Sequence, residues 1–331
     1  MFMAAALAEA RKGVGQTSPN PAVGAVIVAY GKILASGYHK AAGQPHAEIE
    51  ALRALPDLAL ARSATLYITM EPCCTTGRTP PCTEAIIEHG IARVVYGATD
   101  PNPDHSGRAD AILAAAGVHV TSGVLAGECH AINEAWNFWI RTGTPFVIAK
   151  CGMSLDGRIN SHPSSRWITS TASRRDAMAL RAKVDAVLIG GGTARIDNPK
   201  LTIRGIRNAR QPWRVIWSPA GDLPATLNLF TDKHRERTLV MRQPTLREVL
   251  EALGKRGITS VLIEGGGQTL GAAFEAGLVH RVEFYVAPVL LGGPVPAVGG
   301  IGIGKNSDAT QLHEVTYEPI GPDVKVSALV T

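Results

Sequence analysis

His46-Ala47-Glu48 and the proline-preceded cysteines Pro72-Cys73 and Pro81-Cys82 are the residues of this chain best suited to chemistry. One imidazole and two thiolates are a donor set for Zn²⁺ that leaves the fourth tetrahedral position free for water. A metal so held brings the pKa of that water towards neutrality, which suits hydrolytic attack on an amidine-like ring carbon. Glu48, a carboxylate outside the ligand set, is the group to carry the water's proton to a departing amine. Singly these residues have plainer readings: Cys73 and Cys82 as buried small side chains, His46 as a helix cap. Together, in this order and with the second cysteine nine positions after the first, they are the residue set of a zinc deaminase.

The elements that must position them follow from local sequence. Two residues apart, His46 and Glu48 point to nearly opposite sides of a regular helix and share a site only at a helix entrance. Pro45 followed by AEIEALRAL predicts that entrance. Cys82 follows Pro80-Pro81 and opens TEAIIEHG, which also reads as a helix, and a thiol at a helix N-terminus has a lowered pKa. Upstream, MFMAAALAEARKG reads as a first helix rather than a signal peptide, because Glu9 and Arg11 break its apolar run. A turn-rich loop with Pro19-Asn20-Pro21 comes next, then a hairpin-like pair of strands, AVGAVIV and KILASGYH, joined at Tyr30-Gly31. Strands TLYIT (65–69) and RVVYGA (93–98), helix 109–117, extended segment 118–123 and one final helix around GECHAINEAWNFWI complete a three-layer α/β pattern. DPNPDHSG (100–107) reads as a loop only.

At 331 residues the chain has room for two domains, and Arg141-Thr142-Gly143-Thr144-Pro145 is the boundary, giving 1–143 and 144–331. A composition 45% apolar and 18% charged is that of a globular protein, and five irregularly spaced cysteines make no disulfide framework, which fits a reducing cytoplasm. No apolar run reaches membrane-spanning length. The net charge of +5 is scattered, without a Lys/Arg block interleaved with aromatics, so it argues against nucleic acid and suits small phosphorylated ligands or a mildly basic surface equally.

The second half repeats the α/β alternation: strand 145–150, helix 171–183, strands 185–190, 213–217 and 238–241, a helix from Leu246, strand 260–266 and helix QTLGAAFEAG. RVEFYVAPVLLGG (281–293) and KVSALV (325–330) read as antiparallel strands closing a sheet. Gly191-Gly192-Thr193 and Gly266-Gly267-Gln268-Thr269 each follow a strand, where backbone N–H groups can approach an anion. Neither fits the dinucleotide fingerprint, and ordinary tight turns explain both as well. Asp197-Asn198-Pro199 has the same two readings.

A family resemblance goes further. TSPNPAVGAVIV, GYHKAAGQPHAEIEAL and MEPCCTTGRTPPCTEAI resemble the deaminase half of the bifunctional riboflavin-biosynthesis deaminase/reductases. KCGMSLDGRI, SRWITS, GGGTARIDNPKLTIR, LIEGGGQT and APVLLGG resemble the reductase half, in the family's order. The Cys73–Cys82 spacing separates this chain from nucleoside and tRNA deaminases, which usually carry Cys-x-x-Cys. The resemblance implies a cytidine-deaminase-like α/β/α domain followed by a dihydrofolate-reductase-like α/β domain. It implies hydrolysis of the C2 amino group of 2,5-diamino-6-(5-phosphoribosylamino)pyrimidin-4-one, then NADPH-dependent reduction of the ribosyl to the ribityl group. Zinc falls to His46, Cys73 and Cys82, proton transfer to Glu48, and pyrimidine contact to Asn20. Met153, Trp167, Thr193, Asp197 and the loop Gly266, Gly267, Gln268, Thr269, Leu270, Gly271, Ala272 fall where the family meets NADPH. Ser165, Arg181, Leu201, Arg204 and Glu264 fall where it meets substrate, Arg204 being suited by its planar fork to the phosphate. Asp197 and Glu264 are the candidates for the reductase's general acid, and Lys150 and Asp156 read as structural. Self-association into a dimer or tetramer through the reductase half is also implied.

The chain departs from the family in two places. Thr75-Thr76 stand where at least one His is usual after the first zinc cysteine, and Met153 stands where Ala is common. Cys74 is a second-choice zinc ligand; Cys129 and Cys151 read as buried thiols. The competing readings are a reductase with an impaired deaminase half, a nucleic-acid deaminase with an accessory domain, and a zinc-stabilised binding protein, for which Glu48 has no use.

Overall fold

A computed structural model describes residues 1–76, 80–103, 105–159 and 167–330. The chain divides into two compact units, Met1–Gly143 and Thr144–Thr331. Ser165 lies outside the described residues.

The first unit comprises α1 (Phe2–Gly13), β1 (Gly24–Ala29), β2 (Lys32–Tyr38), α2 (Ala47–Arg53), β3 (Thr65–Met70), α3 (Cys82–Glu88), β4 (Arg93–Ala98), α4 (Arg108–Ala115), β5 (His119–Thr121), α5 (Ala126–Ala131) and α6 (Glu134–Thr142). Its five-stranded sheet runs β2-β1-β3-β4-β5, with β1 antiparallel to both neighbours and β3, β4 and β5 parallel. Every residue of β1 is buried, as expected of a strand covered on both faces. Ala25, Ile27 and Ala29 pack with Ala47, Ala51 and Leu52 of α2 and Ile86 of α3. Val26 and Val28 face the other way, onto Met3, Ala6 and Leu7 of α1 and Cys129 of α5. This is the three-layer arrangement expected.

Two details place the site. Gly37 on β2 has no room for a side chain: a Cβ there would collide with the backbone of Ala47 and Ala51, so α2 rests directly on the strand. The single final helix expected from sequence is two helices. Asn133, between α5 and α6, accepts from Ala22 N (2.8 Å) and donates to Ala22 O (2.9 Å), while Trp136 Nε1 donates to Pro19 O (3.1 Å). The helix breaks so that its second half can grip the Pro19–Ala22 loop.

The second unit comprises β6 (Phe146–Ser154), α7 (Thr171–Arg181), β7 (Ala186–Gly190), α8 (Gly191–Asp197), β8 (Trp213–Trp217), α9 (Asn228–Thr231), β9 (Thr238–Met241), α10 (Leu246–Gly254), β10 (Ser260–Ile263), α11 (Gly267–Glu275), β11 (Arg281–Ala287), β12 (Leu312–Ile320) and β13 (Asp323–Val330). Its sheet runs β12-β13-β11-β6-β10-β7-β8-β9. β11 pairs antiparallel with β13 as expected, but it is parallel to β6. The outer edge is β12, which the sequence reading omitted: its residues are nearly all exposed and its register is irregular, so no alternation marks it. α8 was also unforeseen, since Gly191-Gly192 opposes helix formation. β10 stops at Ile263, short of the 260–266 expected.

Because α2 carries two of the candidate site residues, Gly37→Ala is expected to cost about 1–3 kcal/mol by overpacking and to loosen metal retention. Thermal unfolding and zinc content after dialysis against a chelator measure both.

Candidate functional site

His46 is the N-cap of α2, in extended conformation, and Glu48 lies in the first turn, so the helix entrance brings both to one place. Cys73 follows β3, and Cys82 is the first residue of α3. His46 Nδ1 lies 3.5 Å from Cys73 Sγ and 3.3 Å from Cys82 Sγ, and the three ligand atoms are within 4.8 Å of one another. The Cys82 backbone N–H donates to Cys73 Sγ at 3.2 Å. One imidazole nitrogen facing two sulfurs is a donor set that fits Zn²⁺.

The electrostatics suit that occupant. The Cys82 thiol donating to Cys73, with help from His46 and the Cys82 backbone N–H and against burial, pulls Cys73 down to about 4, while the same bond pushes Cys82 up. The Cys73 contact raises His46 above its ordinary value. Burial pushes the Glu48 carboxyl up, and it is 3% exposed. Such a carboxyl holds a proton more readily than an exposed one.

His46, Glu48 and Cys73 open into a cavity of about 360 Å³ that Asn20 also lines. His39, absent from the sequence reading, fixes Asn20. Its Nδ1 faces Pro45 O at 3.0 Å and so carries the proton, leaving Nε2 to accept from Asn20 Nδ2 at 3.1 Å. Burial lowers the pKa of His39, in keeping with a neutral ring. Asn20 Oδ1 is thereby left as an acceptor. Asp100, Asn102 and His105, from the segment read only as a loop, also line the cavity. Burial pushes the Asp100 carboxyl up to about 6. Pro101-Asn102-Pro103 duplicates Pro19-Asn20-Pro21, a signal that was present in the sequence and unused. Cys74 turns from the ligand cluster towards His105, with Sγ 3.8 Å from Nδ1. Cys129 and Cys151 are buried, and burial pushes both thiols up to about 11.

In the second unit a cavity of about 1100 Å³ opens where β7 and β10, neighbours in the sheet, end. The two glycine segments are helix starts rather than plain turns: α8 begins at Gly191 and α11 at Gly267. Gly266 has φ +50, and a Cβ on Gly267 would strike the Pro296 carbonyl. Backbone N–H groups of two helix starts beside one cavity fit the phosphates of a dinucleotide. Trp167, Thr193, Asp197, Gly266, Gly267, Gln268, Thr269 and Leu270 line it, as do Arg181, Leu201, Arg204 and Glu264. Met153, Gly271 and Ala272 do not: Met153 packs on the core, and Gly271 abuts the backbone of Gly299. Trp167 is 55% exposed with Arg174 Cζ 4.8 Å from its ring centroid, so it is no core residue. Among the described residues Arg204 makes no hydrogen bond or ion pair. Asn198 and Leu201 both hold positive φ beside the cavity, 41° and 50°.

Lys150 and Glu264 belong to one ionic cluster on the cavity wall. Glu264 is ion-paired with Arg181 (Nε to Oε1; Nη2 to Oε2 at 2.9 Å) and lies 3.6 Å from Lys150 Nζ. Arg181 and then Lys150 hold its carboxyl down at about 2 against burial, which favours the ionised form beside the two cations. Lys150 therefore belongs to the cavity. Asp156 is structural, accepting from Ser154 Oγ, Leu291 N and Gly292 N.

A cysteine-and-histidine metal cluster at helix starts, followed by a parallel-sheet unit with a glycine-lined cavity, defines a zinc deaminase joined to a nucleotide-dependent reductase. Residues 1–98 match the cytidine and deoxycytidylate deaminase zinc-binding region, and residues 145–326 match the RibD C-terminal domain. Riboflavin biosynthesis protein RibD of Mycobacterium tuberculosis is 42% identical, covering 95% of this chain and 92% of its own. The RibD of Bacillus amyloliquefaciens is 37% identical over 99% and 95%. The structure of Acinetobacter baumannii RibD superposes with a TM-score of 0.91 at 33% identity, covering 100% of this chain and 98% of its own. The chain belongs to the RibD family and is a bifunctional zinc-dependent deaminase and NADPH-dependent reductase of riboflavin biosynthesis.

Because Glu264 is held below its unfolded value of 4.5, its contribution to stability is complete above that pH and is lost as pH falls towards 2. Glu264→Gln, which leaves Arg181 and Lys150 without their counter-charge, is expected to cost about 3 kcal/mol at pH 7. Denaturant unfolding at pH 7 and at pH 3 should show the gap between the two proteins narrowing in acid.

Proposed function

We propose that residues 1–143 deaminate 2,5-diamino-6-(5-phosphoribosylamino)pyrimidin-4-one and that residues 144–331 reduce the resulting uracil's ribosyl group to ribityl. The observation that carries this is the buried Glu48 beside His46, Cys73 and Cys82 in the cavity lined by Asn20. A Thermotoga maritima protein with 31% identity and a TM-score of 0.88 is a diaminohydroxyphosphoribosylaminopyrimidine deaminase and 5-amino-6-(5-phosphoribosylamino)uracil reductase.

In the deaminase, His46, Cys73 and Cys82 hold the zinc, which when bound supplies a Lewis acid that makes water a competent nucleophile at neutral pH. Glu48 carries the proton from that water to the departing amino group, which leaves as ammonia. Its burial serves this, since a raised pKa lets the carboxyl hold the proton between the two transfers. Asn20, fixed by His39, offers Oδ1 to a ring N–H.

In the reductase, NADPH when bound supplies the hydride. The start of α11 and Thr193 hold its phosphates, and Trp167 covers it. Arg204, exposed and unpaired among the described residues, takes the substrate phosphate. Glu264 holds Arg181 and Lys150 pointing at the opened sugar. Asp197 is the remaining acid on the cavity wall. The protein works as a dimer or tetramer in the cytoplasm, and its five cysteines form no disulfide. Among the described residues no helix is long and apolar enough to cross a membrane.

The test supplies the diaminopyrimidine phosphoriboside and NADPH to zinc-loaded protein and follows ammonia and NADPH oxidation together. Glu48→Gln should retain zinc, lose ammonia release by about 10²–10⁴-fold, and regain NADPH oxidation when pre-deaminated substrate is added. NADPH oxidation confined to pre-deaminated substrate in the unmodified protein would contradict the reading.

A further inference from the structure

The loop joining β4 to α4 is held more firmly than a surface connection requires. The buried Glu71 carboxylate accepts backbone N–H groups from both of its ends, Asp100 (3.1 Å), Gly107 (3.0 Å) and Ala109 (3.1 Å). Within this staple the chain turns on Asn102, whose carbonyl accepts from His105 N at 3.0 Å and Ser106 N at 2.9 Å. The turn delivers the half-buried His105 ring to the wall of the cavity that contains His46, Glu48 and Cys73.

The ring's own bonding is lopsided. Nδ1 lies 3.3 Å from Thr75 Oγ1 and 3.8 Å from Cys74 Sγ, so it is fixed by the two residues that follow the first cysteine ligand. Nε2 meets only that same Thr75 hydroxyl, at 3.4 Å, among the described residues. An imidazole has two polar nitrogens, and one hydroxyl makes a good bond to one of them. The Thr75 hydroxyl lies between the two nitrogens and satisfies one of them, so the half-buried ring on the cavity wall keeps a polar nitrogen for a ligand. A loop anchor would not need the cavity.

We infer that His105 is a substrate-contacting residue of the deaminase, hydrogen-bonding through its imidazole to a polar group of the phosphoribosylated pyrimidine. Thr75 and Cys74 are its positioning residues. This rests on the reading of the first cavity as the deaminase site. The contact is to the bound ground state as much as to the transition state, because nothing places His105 on the water or the leaving amine. Its loss should therefore appear in KM and not in kcat.

The experiment measures steady-state ammonia release from the full-length, zinc-loaded protein with the diaminopyrimidine phosphoriboside. His105→Ala should raise KM about five- to tenfold, the range for one hydrogen bond, with kcat within about twofold and zinc content unchanged. His105→Gln, which keeps a hydrogen-bonding terminus, should return KM to within about twofold of the unmodified enzyme. An unchanged KM in His105→Ala overturns the inference, and so does an equal rise in both variants accompanied by loss of zinc, which makes His105 a prop for the cysteine loop. Glu48→Gln run alongside separates the two claims: if it still releases ammonia, the cavity itself has been misread.

Discussion

The Cys82 backbone N–H, 3.2 Å from Cys73 Sγ, is the contact on which the first unit's chemistry depends. It ties the loop leaving β3 to the first residue of α3 and so sets the distance between two sulfurs nine positions apart in the chain. The third donor arrives from α2, whose start is fixed by its direct seat on Gly37. Thus three ligands converge because two helices begin against one sheet, at its rim. Glu48 follows from the same placement, since it lies two residues past the cap and lines the same cavity as His46 and Cys73.

The second unit uses the same device for a different charge. There α8 and α11 begin where the adjacent parallel strands β7 and β10 end, and their free N–H groups meet in one cavity. In open parallel sheets ligands collect outside the carboxyl ends of the strands. A cofactor with phosphates needs this partial positive charge, and in α11 a side chain at Gly267 would strike Pro296 and one at Gly271 would strike Gly299. The buried Glu264 then serves as an electrostatic hub, holding Arg181 and Lys150 at the cavity while staying ionised itself.

What was legible in the sequence was what local chemistry determines. His46, Glu48 and Cys82 announce themselves because they open helices behind prolines and Cys73 because it follows a proline of its own, and β4, β8 and β9 because their apolar runs are short and sharply bounded. His39, Asp100 and His105 were not legible, because they enter the site through tertiary contacts, a bond to Asn20 in one case and the Glu71 staple in the others, and Asn102 was legible only through the Pro-Asn-Pro it shares with Asn20. The break at Asn133 was hidden for the same reason, its side chain being spent on a backbone 111 residues away. α8 and β12 failed on local grounds, one for its glycines and the other for its exposure. Glu264 looked like an acid until its two cations were seen around it.

X-ray absorption at the zinc edge of the purified protein tests the central claim most directly. The account predicts one zinc bound by two sulfurs at about 2.3 Å and two nitrogen or oxygen atoms at about 2.0–2.1 Å, from His46, Cys73, Cys82 and one water. A third sulfur would bring in Cys74 and close the position that hydrolysis needs, and that result would contradict it.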